Sequence, residues 1–284
     1  MNVLVFGKTG QLSQELGMFK QTMCLDRSSV DLLVPEKCSS LIRDLKPDAV
    51  INAAAYTAVD RAELEEPLAT ATNARAPEAM AIACRDLNIP FLHISSDYVF
   101  DGDLDRPFNT LDETNPLGAY GRSKLLGEKA VMDSWQKAII LRTSWVFSSY
   151  GQNFVKTMLH LSKEKDHLRI VADQFGGPTS AKSIASACIQ ILNKYQVGTG
   201  PYGIFHFCGS PYTNWADFAK EIFDIAGISM NIERISNAEY SQSAQRPRNS
   251  RLDCAKIKEM FNINMPDWRE DLKLVISQLE GLER

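Results

Sequence analysis

An α/β fold with a parallel sheet is predicted by three observations on this sequence. Short apolar runs rich in β-forming residues recur along the first half of the chain, and a polar or glycine-containing turn follows each one. Stretches with apolar residues at helical spacing separate these runs, so strands and helices alternate. The runs are apolar almost throughout, as in parallel strands that helices cover on both faces.

The individual elements follow from these patterns in chain order. We expect strands at Val3–Phe6, Thr22–Leu25, Ala49–Ala53, Phe91–Ile94, Ile139–Leu141 and Ile204–Phe207. We expect helices at Asn73–Leu87, Ala119–Trp135 and Trp215–Ile225. After about residue 147 the pattern is less regular, which indicates a second and smaller α/β domain.

Composition narrows the classes of function. The 284 residues are 44% hydrophobic, which is enough to bury a sizeable core in one large or two modest domains. The net charge of -4 argues against non-specific nucleic-acid binding, which requires a basic surface. No apolar run reaches membrane-spanning length, and the N-terminus lacks the basic start of a signal peptide. The six cysteines form no C-x-x-C pair and the four histidines lack metal-ligand spacing, so we expect a cytoplasmic protein without a zinc site.

A glycine-rich turn follows the first predicted strand. Gly7 permits a tight turn, and Gly10 lets the backbone approach a phosphate at the start of a helix, as in dinucleotide-binding turns. Ser13 occupies the position where glycine usually allows close packing, and we expect a modest packing cost from it. The alternative is an ordinary strand–helix turn. The turn favours a Rossmann-type, doubly wound domain over residues 1–147, interleaved with a mainly substrate-binding domain over 148–284.

The residues after the second strand bear on the choice of dinucleotide. Asp26 is placed to bind a ribose hydroxyl, whereas the adjacent Arg27 would attract the 2′-phosphate of NADP. Asp31 and Leu32 lie just beyond, where an adenine ring could rest. Asp26 and Arg27 together leave both NAD and NADP possible, with a mild preference for NADPH. The alternative for each of these residues is a place in a solvated turn.

A tyrosine and a lysine in the second predicted helix carry the expected chemistry. Tyr120 and Lys124 are four residues apart and therefore lie on one helical face. A phenol ionises near ~10 in water, and a nearby ammonium lowers that value toward the working pH. Ser96 ends the preceding strand and can hydrogen-bond a substrate carbonyl. The alternatives are a surface ion pair of Lys124 with Glu128 and a capping role for Ser96.

Taken together, these segments resemble the dTDP-4-dehydrorhamnose reductase family of extended short-chain dehydrogenases/reductases over nearly the whole chain. The matching segments are GKTGQL at 7–12, NAAAYTAVD at 52–60, SSDYVF at 95–100, YGRSKLLGE at 120–128, RTSWVF at 142–147, NFVKTM at 153–158, DQFGGPT at 173–179 and RPRNSRL at 246–252. The resemblance implies reduction, with NADPH or NADH, of the 4-keto group of dTDP-4-dehydro-6-deoxy-L-mannose to dTDP-L-rhamnose for surface polysaccharide.

The resemblance also implies roles for particular residues. Tyr120 becomes the proton donor, Lys124 binds the nicotinamide ribose and tunes Tyr120, and Ser96 polarises the same oxygen where threonine is usual. Cofactor contacts are expected from Gly7, Gly10, Gln11, Leu12, Asp26, Arg27, Asp31, Leu32, Ala53, Ala54, Ala55, Tyr120 and Lys124. Substrate contacts are expected from Ser96, Asp97, Tyr98, Trp145, Asn153, Arg246 and Arg248. Either of the two arginines could hold the diphosphate in a bidentate fork.

The sequence departs from the family at a possible metal site. Some members dimerise around Mg²⁺ held by three glutamates from each chain. Glu15 matches the first glutamate, but Lys182 and Gln278 occupy the other two positions. A hard cation prefers carboxylate oxygen, and a lysine would repel it. We therefore expect no bound metal, and a monomer or a homodimer without a metal bridge.

Two other functions stay open. An epimerase of the same superfamily would hold NAD permanently and return the hydride, so it would carry cofactor through purification. A non-catalytic relative, such as the regulatory β subunit of methionine adenosyltransferase, shares much of the pattern and would co-purify with a synthetase. The presence of Ser96, Tyr120 and Lys124 favours the reductase.

Overall fold

The computed structural model describes residues 1–195, 200–240 and 243–282. Its strands are β1 (Val3–Phe6), β2 (Thr22–Leu25), β3 (Ala49–Asn52), β4 (Phe91–Ser96), β5 (Ile139–Thr143), β6 (Val146–Phe147), β7 (His167–Val171), β8 (Phe175–Gly176), β9 (Thr179–Ser180), β10 (Gly203–His206), β11 (Thr213–Asn214) and β12 (Asn231–Ile235). Its α-helices are α1 (Gln11–Leu16), α2 (Pro35–Leu45), α3 (Val59–Ala62), α4 (Glu66–Thr70), α5 (Ala76–Leu87), α6 (Ala119–Ser134), α7 (Phe154–Leu161), α8 (Ala181–Lys194), α9 (Trp215–Ile225), α10 (Ala255–Phe261) and α11 (Trp268–Leu282).

A parallel sheet lies at the centre of the molecule. Within the described residues it has six strands in the order β2–β1–β3–β4–β5–β10. The order reverses at β1, because β2 lies on one side of it and β3 on the other. In open α/β sheets, ligands bind outside the carboxyl ends of the strands next to such a reversal. A ligand-binding site is therefore expected among the residues that follow β1, β3 and β4.

Helices cover both faces of the sheet. Leu4 and Phe6 belong to a core shared with α2 and α5. Their neighbours in β1, Val3 and Val5, belong to a core on the other face that is shared with α1 and α8. Because both sets of alternating residues are buried, β1 is apolar along its whole length. The predicted doubly wound α/β fold is confirmed.

Another core lies beyond residue 147. It includes Phe218 and Trp268, whose rings meet edge to face with centroids 5.2 Å apart. Short strand pairs accompany it, namely β7 with β12, β8 with β11 and β6 with β9. Helix α9 has the bounds that the sequence predicts. Strand β10 nevertheless joins the large sheet, and α8 packs in the core that the sheet shares with α1. The chain beyond residue 147 therefore contributes to the large sheet as well as to its own core.

The helix predicted at 73–87 begins differently from the prediction. A π-helical turn covers Ala71–Arg75, and α5 starts after it. Pro77 lies just after this turn, and the backbone is helical from the start of α4 to the end of α5 without a break. Proline has no N–H to donate, and the wider π-helical turn lies at the place where that hydrogen bond is missing. Inside the turn, Asn73 Oδ1 accepts a hydrogen bond from Tyr56 N at 2.8 Å, and its Nδ2 donates to Ser123 Oγ at 2.9 Å. The turn thus connects the loop after β3 to α6.

Candidate active site

The turn between β1 and α1 leaves space for a ligand and for one small side chain. Gly7 has a φ of +113°, and a Cβ there would lie 2.4 Å from Ser13 Oγ and 3.4 Å from Ala54 N. The missing Cβ of Gly7 therefore accommodates the Ser13 hydroxyl. Gly10 is the N-cap of α1 and makes no side-chain hydrogen bond, so the first N–H groups of the helix are left for a ligand. This cradle fits the pyrophosphate of a dinucleotide.

Charged side chains gather after β2. Asp26 accepts a hydrogen bond from Ser28 Oγ at 2.6 Å, and its other oxygen lies 3.2 Å from Lys8 Nζ. The hydroxyl of Ser28 contributes most to holding the pKa of the Asp26 carboxyl well below its usual range. Arg27 is exposed and contacts Asp31 at 3.3 Å. Lys8 therefore lies beside the carboxylate that the sequence assigns to the ribose, and Arg27 pairs with the second predicted carboxylate, Asp31.

The other predicted cofactor residues lie along the same edge of the sheet. Ala53–Ala55 follow β3, and Ala53 N donates to Phe6 O at 3.0 Å, which extends the pairing of β3 with β1. Leu12 is buried within α1. Leu32 is partly buried against the core that α2 shares. Small side chains after β3 thus leave this edge open beside the glycine turn.

Gln11 connects the glycine turn to the second half of the chain. Its Oε1 accepts hydrogen bonds from Asn153 Nδ2 at 2.9 Å and from Ser148 Oγ at 3.0 Å. Asn153 also caps α7, since its Oδ1 accepts from Lys156 N at 3.2 Å. The Asn153 amide is therefore bonded within the protein, and its contact with substrate stays a prediction.

Tyr120 and Ser96 meet where α6 packs against the end of β4, and Lys124 lies one helical turn further along α6. Burial raises the pKa of Tyr120 to about 12, and a hydrogen bond with Ser96 acts in the opposite direction. Ser96 Oγ donates to Asp97 Oδ1 at 2.9 Å and accepts from Tyr98 N at 3.2 Å. Ser96 thus caps the turn after β4, as the alternative predicted, while its hydroxyl also reaches Tyr120.

Lys124 is a buried lysine, with 2% of its surface exposed. Its Nζ donates to Ile94 O at 2.7 Å. Burial lowers its pKa to about 8, and the carboxylate of Glu128 one turn later acts against that shift. Glu128 is itself buried and bonded through both oxygens to Arg142, at 2.9 and 2.6 Å. The alternative of a surface ion pair between Lys124 and Glu128 is therefore wrong.

A 3₁₀ turn at Asp97–Val99 follows β4 and carries two predicted substrate residues. Burial raises the pKa of the Asp97 carboxyl to about 6, although the hydroxyls of Ser250 and Ser96 lower it in part. Tyr98 meets Tyr120 edge to face, with ring centroids 5.7 Å apart. Since Ser250 belongs to the basic segment at 246–252, that segment reaches the acid–base residues.

Trp145 forms an aromatic surface after β5. Its backbone is left-handed, with a φ of 48°. Its indole stacks on that of Trp215, with ring centroids 3.5 Å apart and planes inclined by 9°. Gly176 makes this position possible, because a Cβ there would lie 2.5 Å from Trp145 Cε2. The partly buried indole pair is suited to packing against an apolar face of a ligand.

The two candidate arginines of the basic segment differ in their surroundings. Arg246 is ion-paired with Asp60 at 2.8 Å and is hydrogen-bonded to Tyr98. Arg248 is exposed and lines a cavity of about 260 Å³ together with Phe175. The guanidinium of Arg248 is therefore the more available of the two for a phosphate.

The residues at the possible metal position do not fit a hard cation. Glu15, Lys182 and Gln278 line one concavity together with Asp271. Burial raises the pKa of Glu15, and the charge of Lys182 opposes that rise. Asp271 Oδ2 already accepts a hydrogen bond from Ser183 Oγ at 2.6 Å. An ammonium group and a single available carboxylate are a poor donor set for Mg²⁺, which prefers several oxygen ligands.

Sequence reasoning missed four polar residues that the fold brings to this region. They are Lys8 beside Asp26, Asp60 paired with Arg246, Arg142 paired with Glu128, and Ser250 beside Asp97. Each lies within a segment quoted above for the resemblance, which was the available signal. Their partners are distant in sequence, so spacing alone could not have paired them.

Comparison with known proteins gives one consistent answer. The family model described as the RmlD substrate binding domain matches residues 1–280. A dTDP-4-dehydrorhamnose reductase from Aggregatibacter actinomycetemcomitans is 43% identical over 98% of this chain and 99% of its own length. The enzyme of that description from Escherichia coli K12 is 39% identical over 98% of both chains.

Solved structures agree with this result. A dTDP-4-dehydrorhamnose reductase from Clostridium acetobutylicum superposes with a TM-score of 0.93 at 35% identity, covering 99% of this chain and 100% of that one. The Bacillus anthracis enzyme of the same description, in complex with NADP, gives a TM-score of 0.92 at 31% identity over 98% of this chain and 100% of that one.

Proposed function

Because this chain belongs to the dTDP-4-dehydrorhamnose reductase family of extended short-chain dehydrogenases/reductases, we propose that Ser96, Tyr120 and Lys124 are its catalytic residues. The chain is an NAD(P)H-dependent oxidoreductase that reduces the 4-keto group of dTDP-4-dehydro-6-deoxy-L-mannose to dTDP-L-rhamnose. The observation that carries the proposal is the contact of Tyr120 with Ser96, with Lys124 buried against β4 one helical turn away, at the sheet edge that also holds the glycine turn.

The proposed mechanism assigns each group one task. A bound NAD(P)H supplies the hydride that C4 of the sugar receives. Tyr120 gives its phenolic proton to the carbonyl oxygen, and the Ser96 hydroxyl donates a hydrogen bond to the same oxygen as negative charge develops. The positive charge of Lys124 stabilises the phenolate that remains. Trp145 and Asp97 orient the sugar, and the N–H groups at the start of α1 hold the pyrophosphate.

The direct test is oxidation of NADPH and NADH by the purified chain with dTDP-4-dehydro-6-deoxy-L-mannose, with the product identified by mass spectrometry. Stoichiometric oxidation and a product two hydrogens heavier are expected. Tightly held NAD after purification with no net oxidation would identify an epimerase instead. No turnover together with co-purification of a synthetase would identify a regulatory relative.

We propose that the enzyme uses both dinucleotides and favours NADPH. Lys8 offsets the charge of Asp26, and Arg27 adds a second cation for a 2′-phosphate. Arg27→Ala should raise the Kd for NADPH by up to about fivefold and leave that for NADH nearly unchanged, because exposed ion pairs contribute only about 0.2–1 kcal/mol. Fluorescence titration measures both constants. Equal weakening of the two would show that Arg27 does not contact the phosphate.

We propose that Arg248 holds the substrate diphosphate and that Arg246 positions the segment through Asp60 and Tyr98. A charge-assisted hydrogen bond contributes about 1.5–3 kcal/mol. Arg248→Ala should therefore raise KM for the dTDP-sugar by at least about tenfold at low salt and spare kcat. Arg246→Ala should instead lower thermal stability and kcat. If neither substitution raises KM, the diphosphate is bound elsewhere.

We propose a monomer or a homodimer that needs no Mg²⁺, on the evidence of Lys182 among the residues at the possible metal position. Within residues 1–195, 200–240 and 243–282, no helix has the length and apolar character required to cross a bilayer. A cytoplasmic location is the one we propose, since a nucleotide-sugar substrate and a reduced dinucleotide are both found there.

A further inference from the structure

We propose that the buried ion pair between Glu128 and Arg142 is a positioning device that controls whether Lys124 carries its proton. This inference rests on the proposed function, because it concerns the charge that Lys124 supplies to the reaction. Nothing in the established activity assigns a role to this pair.

The pair joins the catalytic helix to the sheet. Glu128 lies in α6 and Arg142 in β5, and their side chains are 3% and 2% exposed. The contact is bidentate, with Arg142 Nε 2.9 Å and Nη2 2.6 Å from the two carboxylate oxygens. A buried ion pair contributes little net stability over a well-packed apolar pair, so stability alone does not account for it.

Lys124 lies one helical turn before Glu128 on the same face of α6. Its Nζ is buried and donates a hydrogen bond to Ile94 O at 2.7 Å. Burial lowers the pKa of Lys124 to about 8, and the Glu128 carboxylate opposes that shift. Without the carboxylate, the ammonium would lose the nearby anion that keeps it protonated near neutral pH.

Other ionisable groups packed around α6 do not replace Glu128. His93 on β4 is neutral, because burial and the charge of Lys124 hold its pKa well below the usual range. Asp97 and Tyr98 of the 3₁₀ turn lie on the side of Tyr120. Glu66 of α4 is ion-paired with Arg122 at 2.8 Å. The remaining charged side chains on the neighbouring helices are Asp60, Arg61, Arg75, Glu78, Arg85 and Asp86, each partly or fully exposed.

Arg142 has contacts of its own that fix its place. Its Nη1 lies 3.4 Å from His206 Nε2, and His206 Nδ1 lies 3.0 Å from Phe108 O. The carbonyl requires a proton on Nδ1, so Nε2 accepts from Arg142 and the imidazole is neutral. The guanidinium also lies over the ring of Phe100, 5.0 Å from its centroid. Arg142 is thus held in bidentate contact with Glu128, where its positive charge reduces the field of the carboxylate.

The two halves of the pair therefore act on Lys124 with opposite signs. Glu128→Gln removes the anion and leaves the Arg142 cation, so Lys124 should lose its proton about one pH unit lower. Arg142→Met leaves the Glu128 carboxylate without its ion-pair partner, so its full charge acts on Lys124 one helical turn away and Lys124 should keep its proton about one pH unit higher. A merely structural role would change stability in both variants and would not move the titration in opposite directions.

The experiment measures the titration of Lys124 in two ways. The first is NMR of ¹³C-lysine-labelled protein, with the Lys124 signal assigned by its loss in Lys124→Met. The second is the alkaline limb of kcat against pH. For Glu128→Gln both midpoints should fall, with turnover about fivefold lower at pH 8, and for Arg142→Met both should rise. Glu66→Gln is the matched control, since it breaks the bidentate pair that Glu66 of α4 makes with Arg122 of α6 and should leave both midpoints unchanged.

A double variant covers the case in which the single variants do not fold. Glu128→Gln with Arg142→Met removes both charges and leaves neither buried alone. Its midpoint should lie below that of the wild type and above that of Glu128→Gln. Midpoints that are equal in all variants, or that shift in the same direction in both single variants, would overturn the proposal. Because the NMR titration does not depend on turnover, failure of the proposed reductase activity is recognised separately.

Discussion

Tyr120→Phe should lower turnover by about 10²–10⁴-fold, the range that general acid catalysis contributes, and leave NADPH binding nearly unchanged. The substitution removes the phenolic oxygen and keeps the ring, which packs edge to face on Tyr98. Pre-steady-state measurement of NADPH oxidation gives the rate of the chemical step, and fluorescence titration gives the Kd for NADPH.

The size of this effect follows from the surroundings of the hydroxyl. The pKa of Tyr120 is raised to about 12, so the phenol is protonated throughout the working range and is ready to give its proton. In the variant Ser96 is the remaining hydroxyl at this position, and an alkanol hydroxyl is a much weaker acid than a phenol. The loss should therefore fall on kcat and kcat/KM alike.

Tyr195→Phe is the matched control for this substitution. It also removes a hydroxyl from a mostly buried tyrosine, in this case one that donates to Lys137 O at 2.8 Å away from the active site. It should reduce stability by about 0.5–1.5 kcal/mol and spare turnover. A Tyr120→Phe enzyme with wild-type turnover would remove Tyr120 from the mechanism.

Gly121→Ala should lower kcat by about 10²-fold, the cost of a displacement near 1 Å at a reacting group. Gly121 directly follows Tyr120 in α6, and a Cβ there would lie 2.2 Å from Tyr98 O. Backbone cannot yield as a flexible side chain can, so α6 must move away from the 3₁₀ turn. That movement separates Tyr120 from Ser96, and overpacking adds a stability loss of about 1–3 kcal/mol.

Substitutions at two further glycines distinguish a displacement of Tyr120 from a general loss of stability. Gly127→Ala would place a Cβ 2.0 Å from Asn73 O, so it should destabilise the same helix from a position two turns away from Tyr120. Gly281 in α11 has nothing within 4 Å of the added Cβ, and Gly281→Ala should stabilise the protein slightly. Normal turnover in a folded Gly121→Ala enzyme would show that the contact between α6 and the 3₁₀ turn does not position Tyr120.

The sequence predicts the large sheet well because its signal is local. Strands β1 and β2 have the predicted bounds, and β3 to β5 and β10 differ by at most a few residues. Continuous apolar runs of this kind report burial on both faces, which is a property of each strand by itself. The π-helical turn before α5 was missed because such a turn adds only one residue to a helical turn, which hardly changes the spacing of the apolar side chains.

The acid–base residues could likewise be found, since Tyr120 and Lys124 are spaced by one helical turn. The residues that influence the charges of Tyr120 and Lys124 could not be found in this way. Arg142 is fourteen residues from Glu128, and Ser250 lies on a segment that returns to Asp97 from the far end of the chain. Such contacts depend on the crossing of whole elements, and periodicity within one element contains no information about them.

The placement of β10 has a consequence for how the chain folds. During synthesis, β5 is complete long before β10, since α7, β7 and α8 all emerge between them. Until then the large sheet ends in the unpaired edge of β5, and the face of α1 that α8 covers stays open to water. Exposed edges of this kind promote association between nascent chains, and non-local pairing slows folding. We therefore expect the N-terminal half to complete its folding only after β10 has been synthesised, and to be most prone to association before that point.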